Sequence, residues 1–133
     1  MAGVLGLCHA ALLSDGRVLI VGQGDHEQAE IYNPKTGTFS SLGALPYPSW
    51  LPTVSPLKDG RALVTAPAIG DYAPGTGGLA AELFDPKMDG LVSIGAIHFR
   101  SAYTATTLSD SSVLLAGGVI DNTYLNSAIV YCP

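Results

Sequence analysis

Three histidines, two cysteines and a scatter of tyrosines and acids are the side chains here that could hold a metal, attack a substrate or move a proton. His9, His26 and His98 lie far apart, and none is paired at ligand spacing with another His or a Cys, so no metal site is expected. Tyr131 and Cys132 are neighbours, but neighbouring strand residues point to opposite faces, which rules against a redox pair. Gly70, Gly75, Gly77 and Gly78 have neither the strand–loop–helix context nor the following Lys-Ser/Thr of a phosphate loop. Glu30 and Glu82 each follow an Ala and sit among apolar residues. Alone, either carboxylate suits acid–base work. Their recurrence at one place in a repeat points instead to structure, with the carboxylates accepting backbone donors between sheets, since a buried charge must find partners. No catalytic residue, metal ligand or cofactor is assigned.

The repeat decides what must position these residues. Asp15-Gly16-Arg17-Val18-Leu19-Ile20-Val21-Gly22 leads to Ala29-Glu30-Ile31-Tyr32-Asn33-Pro34. Asp59-Gly60-Arg61-Ala62-Leu63-Val64-Thr65-Ala66 leads to Ala81-Glu82-Leu83-Phe84-Asp85-Pro86. Asp110-Ser111-Ser112-Val113-Leu114-Leu115-Ala116-Gly117-Gly118 leads to Ala128-Ile129-Val130-Tyr131-Cys132-Pro133. Self-similarity at roughly 40–50 residues means a four-stranded propeller blade or a helical repeat. The apolar runs are short, partly β-branched and bounded by turn residues, which selects strands. Asp-Gly suits a tight hairpin because Gly accepts positive φ. Asn33-Pro34-Lys35-Thr36-Gly37 reads as a type I turn with Gly37 in the left-handed position.

The pattern Leu-x-Asp-Gly-Arg-Val-Leu-x-x-Gly, then Ala-Glu-x-Tyr-Asn/Asp-Pro, then a strand ending in Leu-Gly, resembles the kelch repeat, in the form found in galactose-oxidase-like propellers. The resemblance covers nearly the whole chain. It departs from the pattern where the Gly-Gly survives only at Gly117-Gly118, reading Gly22-Gln23 and Ala66-Pro67 in the other copies. Ile129 and Cys132 stand where the others have Glu and Asn/Asp, and Phe39 of the first copy is Leu91 in the second. The fold class this implies is all-β: about three four-stranded antiparallel meanders, blades of an incomplete kelch-type β-propeller, filling residues 1–133 as one domain. The blades are expected at about 8–43, 51–95 and 101–133, the last without its outer strand. Three blades fall short of the four to eight of a closed ring. The chain therefore reads as part of a longer propeller or as half of a six-bladed homodimer, with open blade edges available for pairing. Galactose-oxidase resemblance also raises copper-radical chemistry, but no residue here matches those ligand positions, and none is carried over.

The formal net charge is −5 with only 6 Lys and Arg, which argues against a nucleic-acid surface. No apolar run approaches a membrane span. Met1–Leu13 lacks the basic start of a signal peptide and reads as an inner strand, so the compartment stays open between cytoplasm and, for a longer secreted precursor, the exterior. Cys8 and Cys132 fall at different positions of the repeat and are not expected to be bridged. Tyr32, Phe84 and Tyr131 recur in phase and read as blade-to-blade packing.

A four-stranded meander puts its first and third turns on one rim, and its second loop and the blade crossovers on the other. The first set is short; the second, at 23–28, 43–51, 67–79, 95–101 and 119–126, is long and varied. Long loops on a rigid scaffold are where binding resides. The candidate binding face therefore comprises Asp25, His26, Tyr47, Trp50, Tyr72, His98, Phe99, Arg100, Asp121, Asn122 and Tyr124, all expected to be exposed. The expected function is a non-catalytic module offering this face to a protein or glycan partner; the alternative is a piece of a secreted galactose-oxidase-like carbohydrate-active enzyme.

Overall fold

The computed structural model describes residues 6–23, 28–45, 51–67, 78–98 and 100–133. These form an all-β structure, with no helix among the described residues. The first sheet runs β1 (Gly6–Leu12), β2 (Val18–Gln23), β3 (Gln28–Asn33) and β4 (Thr38–Ala44), each strand antiparallel to the next. The second repeats that order with β5 (Thr53–Pro56), β6 (Ala62–Pro67), β7 (Gly78–Asp85) and β8 (Gly90–His98). The third has β9 (Thr104–Thr107), β10 (Val113–Ala116) and β13 (Ala128–Tyr131). A two-stranded ribbon, β11 (Val119–Ile120) and β12 (Thr123–Tyr124), sits between β10 and β13 in sequence. The three sheets are propeller-like blades that do not close into a ring.

Each hairpin follows from its turn residues. In the first, the Leu13 amide donates to the Arg17 carbonyl at 2.8 Å and the Gly16 amide to the Leu13 carbonyl at 3.0 Å, with Gly16 at φ 86°. Gly60 repeats this at φ 93°, but the third copy holds Ser111 at φ 74°. The aspartates cap all three turns: Asp15, Asp59 and Asp110 accept from the amides of Arg17, Arg61 and Ser112 at 2.9, 3.0 and 3.0 Å. Short polar side chains bonding the backbone two residues on are what nucleate such turns. Gly37 occupies the left-handed position of the Asn33 turn at φ 68°; in the second blade Asp89 takes it at φ 44°.

A bulge recurs beside each repeated glutamate. Register shifts between Ala29 and Glu30, and again between Ala81 and Glu82. The outer strand opposite carries Ser41-Leu42-Gly43 or Ser93-Ile94-Gly95, with Gly43 at φ 95° and Gly95 at φ 102°. The extra residue kinks the outer strand and raises its twist.

Period-two alternation sorts each sheet into two faces. Leu19, Val21, Ala29 and Ile31 of the first sheet pack with Ala62, Val64, Ala66 and Phe84 of the second. The opposite face of the second, Leu63 and Ala81, packs with Tyr103, Val113 and Leu115 of the third, joined by Ile129 and Tyr131. Strand β6 is thus buried along its whole length. Phe84, fully buried, fills the seam against the preceding blade. Tyr32, at the same repeat position in the first blade, is half-buried and packs on Phe39 with ring centroids 4.8 Å apart. Burial of each large apolar side chain in these seams contributes about 1.5–3 kcal/mol. A hydroxyl chain crosses the second seam: Thr65 Oγ1 lies 2.7 Å from Thr53 Oγ1 and 2.6 Å from the Tyr103 hydroxyl. Pro56 ends the inner edge strand, where a missing amide costs no ladder bond; its carbonyl accepts from Thr107 Oγ1 at 2.8 Å.

Candidate functional site

The two rims are visible in the hydrogen bonds. On the turn rim, Arg17 reaches from the first hairpin to the second blade's outer turn, 2.6 Å to Asp89 Oδ1 and 3.2 Å to the Pro86 carbonyl. On the opposite rim, the crossover into the third blade meets that blade's second loop. Ser101 and Val119 exchange backbone bonds of 3.1 and 2.8 Å.

The described part of the expected binding face is built there. Val119, Ile120, Thr123 and Tyr124 are strand formers, and Asp121-Asn122 between them turns the chain at φ 46° and 61°. Both turn residues being left-handed is the two-residue hairpin geometry whose twist suits antiparallel strands, and Asp and Asn tolerate it better than other non-glycines. Residues 119–126, expected as an irregular loop, are therefore a short ribbon followed by a link. The expectation missed it because the hairpin signal rests on Asp-Asn rather than on the stronger Asn-Gly. The ribbon's Tyr124 is 87% exposed.

Arg100 corrects the expectation of an exposed loop cation: it is only 5% exposed. Its Nη1 donates to the Gly117 carbonyl at 2.9 Å and the Ser127 carbonyl at 3.2 Å, with Leu115 at 3.5 Å. The reason is geometric. Where β10 ends and β13 begins, the carbonyls of the diverging strands converge, and a guanidinium with five donors satisfies several at once. Gly118 makes room: a Cβ there would stand 2.7 Å from the Ser101 carbonyl, with φ at 105°. Arg100, Ser101 and Gly118 thus form the footing on which the ribbon and Tyr124 stand.

Of the remaining candidates, Asp121 and Asn122 are exposed at the ribbon tip. His98 closes β8, its backbone paired with Gly78. Asp25, His26, Tyr47, Trp50, Tyr72 and Phe99 lie outside the described residues. Cys8 and Cys132 are free and exposed. No group of three or more His, Cys, Asp or Glu converges among the described residues, so they offer no metal centre of that kind.

Two features were not foreseen. A cleft of about 310 Å³, lined by Asp15, Gly16, Arg17, Asn33, Pro34 and Lys35, opens on the turn rim, not the loop rim. Glu82 lies in the first seam, 5% exposed, and burial pushes its carboxyl up to about 7. The donors expected for it do not offset that burial among the described residues. Ile129 at the same place in the third blade shows the position tolerates an apolar side chain.

No family model matches the chain, and no curated protein does. Among solved structures it is similar to a novel fungal alcohol oxidase with catalytic diversity among the AA5 family, in complex with copper. The TM-score is 0.68 and the identity 19% over 98% of this chain. The fold is galactose-oxidase-like. The chain spans 29% of that protein's length, and at this identity the likeness speaks for the fold alone.

Proposed function

We propose that the chain is a set of kelch-type propeller blades that offers its loop rim to a protein or glycan partner without performing catalysis itself. The observation that carries this reading is Tyr124, 87% exposed yet set on a ribbon whose base Arg100 and Ser101 pin. A pre-ordered aromatic presents an apolar face and a hydroxyl at low entropic cost, and tyrosines of this kind anchor binding patches. Asp121 and Asn122 beside it supply polar contacts. Glycan-array binding and affinity capture with the chain, repeated with Tyr124→Ala, test the reading. Loss of a retained ligand in the variant is the expected result. Binding unchanged by Tyr124→Ala, or mapped to the Asp-Gly rim, defeats it.

A second reading is favoured by one observation, the likeness to the copper-bound alcohol oxidase. In it, the chain contributes blades to a galactose-oxidase-like enzyme whose other parts supply the chemistry. Copper binding and alcohol oxidation by a longer polypeptide that contains these blades, lost when the blades are deleted, would promote this reading over the first.

A further inference from the structure

We infer that the first seam is a proton-controlled hinge: when Glu82 gives up its proton, the first two blades part more readily at the loop rim, pivoting on Arg17, while the second seam stays shut. Both walls of this seam are strands of the chain itself, and the inference is independent of what the loop rim binds.

The seam is apolar except for one group. Glu82 stands opposite Val64 in β6 and Ser93 in β8, on the face turned to the first blade, and is 5% exposed. The wall across from it is Leu19, Val21, Ala29 and Ile31, with Leu42 packed alongside. Strands β2, β4, β5 and β6 carry no titratable or charged residue. Glu30 of β3 lies on the far face of its sheet, opposite Ile20. In β1, Cys8 and His9 are exposed. Arg17 and Asp89 pair with each other at the turn rim. Asp85, ending β7, accepts from the Lys87 amide, and His98 ends β8 opposite Gly78. Among the described residues no cation and no hydrogen-bond donor meets the Glu82 carboxyl, and burial alone raises it to about 7.

The second seam supplies the contrast. Ile129 holds the same repeat position in the third blade and faces that seam, paired with Leu115. Polar bonds also stitch the second seam across its breadth. Thr65 Oγ1 lies 2.6 Å from the Tyr103 hydroxyl, Thr107 Oγ1 donates to the Pro56 carbonyl at 2.8 Å, and Lys58 Nζ donates to the Ser109 carbonyl. Among the described residues, the hydrogen bonds that cross the first seam are those from Arg17 to Asp89 and the Pro86 carbonyl, both on the turn rim. The first seam is thus fastened at one rim and held elsewhere by apolar contact. A carboxylate without partners is costly in such a place, and parting at the loop rim gives it water.

The open form loses its proton near the ordinary 4.5 and the closed form near 7. Between these values each pH unit favours opening by up to about ten-fold, roughly 300-fold in all, and above them the ratio is constant. Apolar burial keeps the open form rare throughout, and the labelling of a buried thiol counts rare openings. Ala29→Cys places a thiol in the first seam, where Ala29 is fully buried, and Ala81→Cys places one at the same repeat position in the second. Reaction with a dipyridyl disulfide from pH 5 to 8 is read by mass spectrometry as a rate relative to the exposed Cys132 of the same molecule, which cancels the intrinsic pH dependence of thiol chemistry. The ratio at position 29 should rise at least ten-fold between pH 5 and 7 and then level off, while the ratio at position 81 stays flat. Adding Glu82→Gln should abolish the rise. Ala66→Cys, on the facing wall, repeats the measurement should Ala29→Cys not fold. Flat ratios at positions 29 and 66 overturn the inference, as does a rise that survives Glu82→Gln. An equal rise at position 81 overturns it too, because the whole chain would then be unfolding rather than one seam opening.

Discussion

Glu82→Gln is expected to change how stability depends on pH. The Glu82 carboxyl faces the first seam, opposite Val64 in register, and burial raises it from an ordinary 4.5 to about 7. Between those values the folded chain holds a proton that the unfolded chain has lost. Stability is therefore full below the window and falls as pH rises through it, by about 1.4 kcal/mol per unit. Over the whole interval the loss is at most roughly 3–4 kcal/mol, an upper bound because relaxation and water entry soften a buried charge. Gln cannot ionise and escapes the loss. Urea unfolding followed by circular dichroism, below and above the window, should show the variant gaining on the wild type as pH rises. The difference between the two proteins is the quantity to take, since it cancels the other titrating groups. Asp15 and Asp59 titrate lower: burial raises each, but the amide and guanidinium bonds from Arg17 and Arg61 outweigh it. Parallel pH profiles for wild type and Glu82→Gln would refute the reasoning.

Ser111→Gly should raise the urea midpoint by the equivalent of about 1 kcal/mol, because Ser111 bears the left-handed φ of 74° that Gly16 and Gly60 bear without strain. Tyr103→Phe should cost about 1–2 kcal/mol by breaking the Thr65–Tyr103 bond in the buried hydroxyl chain. Arg100→Ala should cost about 2–3 kcal/mol by freeing the Gly117 and Ser127 carbonyls. Its clearest readout is amide exchange, faster at Val119–Tyr124 and unchanged in β6.

The blade strands were legible because three cues coincide in each: a capping Asp, a left-handed Gly or its substitute, and an apolar run of strand length. Recurrence in phase also foretold that Phe84 and Tyr131 meet a neighbouring sheet, whereas Tyr32, at the same position of the first blade, packs on Phe39 of its own sheet. Arg100 was misread because a charge in a Pro- and Gly-rich crossover looks solvated. Its burial depends on carbonyls from residues 15 to 27 positions away, which no local pattern announces. The recurrent Glu was expected between sheets; Glu82 lies in the first seam, but Glu30 pairs with Ile20 on the face of the first sheet away from the second. The raised carboxyl of Glu82 depends on how much water the seam excludes, a property of the packed pair. The cleft was missed for a related reason: Asp-Gly-Arg reads identically in the first two blades, yet Gly60 is covered by Ser14 while Gly16 has no atom within 4 Å of its Cβ position.

The complete enclosure of β6 has a kinetic consequence. Its amides can reach solvent only if the neighbouring sheets first come away, whereas β1 is exposed along nearly all its length and β13 at alternate residues. In a stack where each unit leans only on its neighbours, loss of order should begin at the flanks and travel inward. The middle sheet would then be the last to let go on heating and the natural seed from which the others zip on refolding.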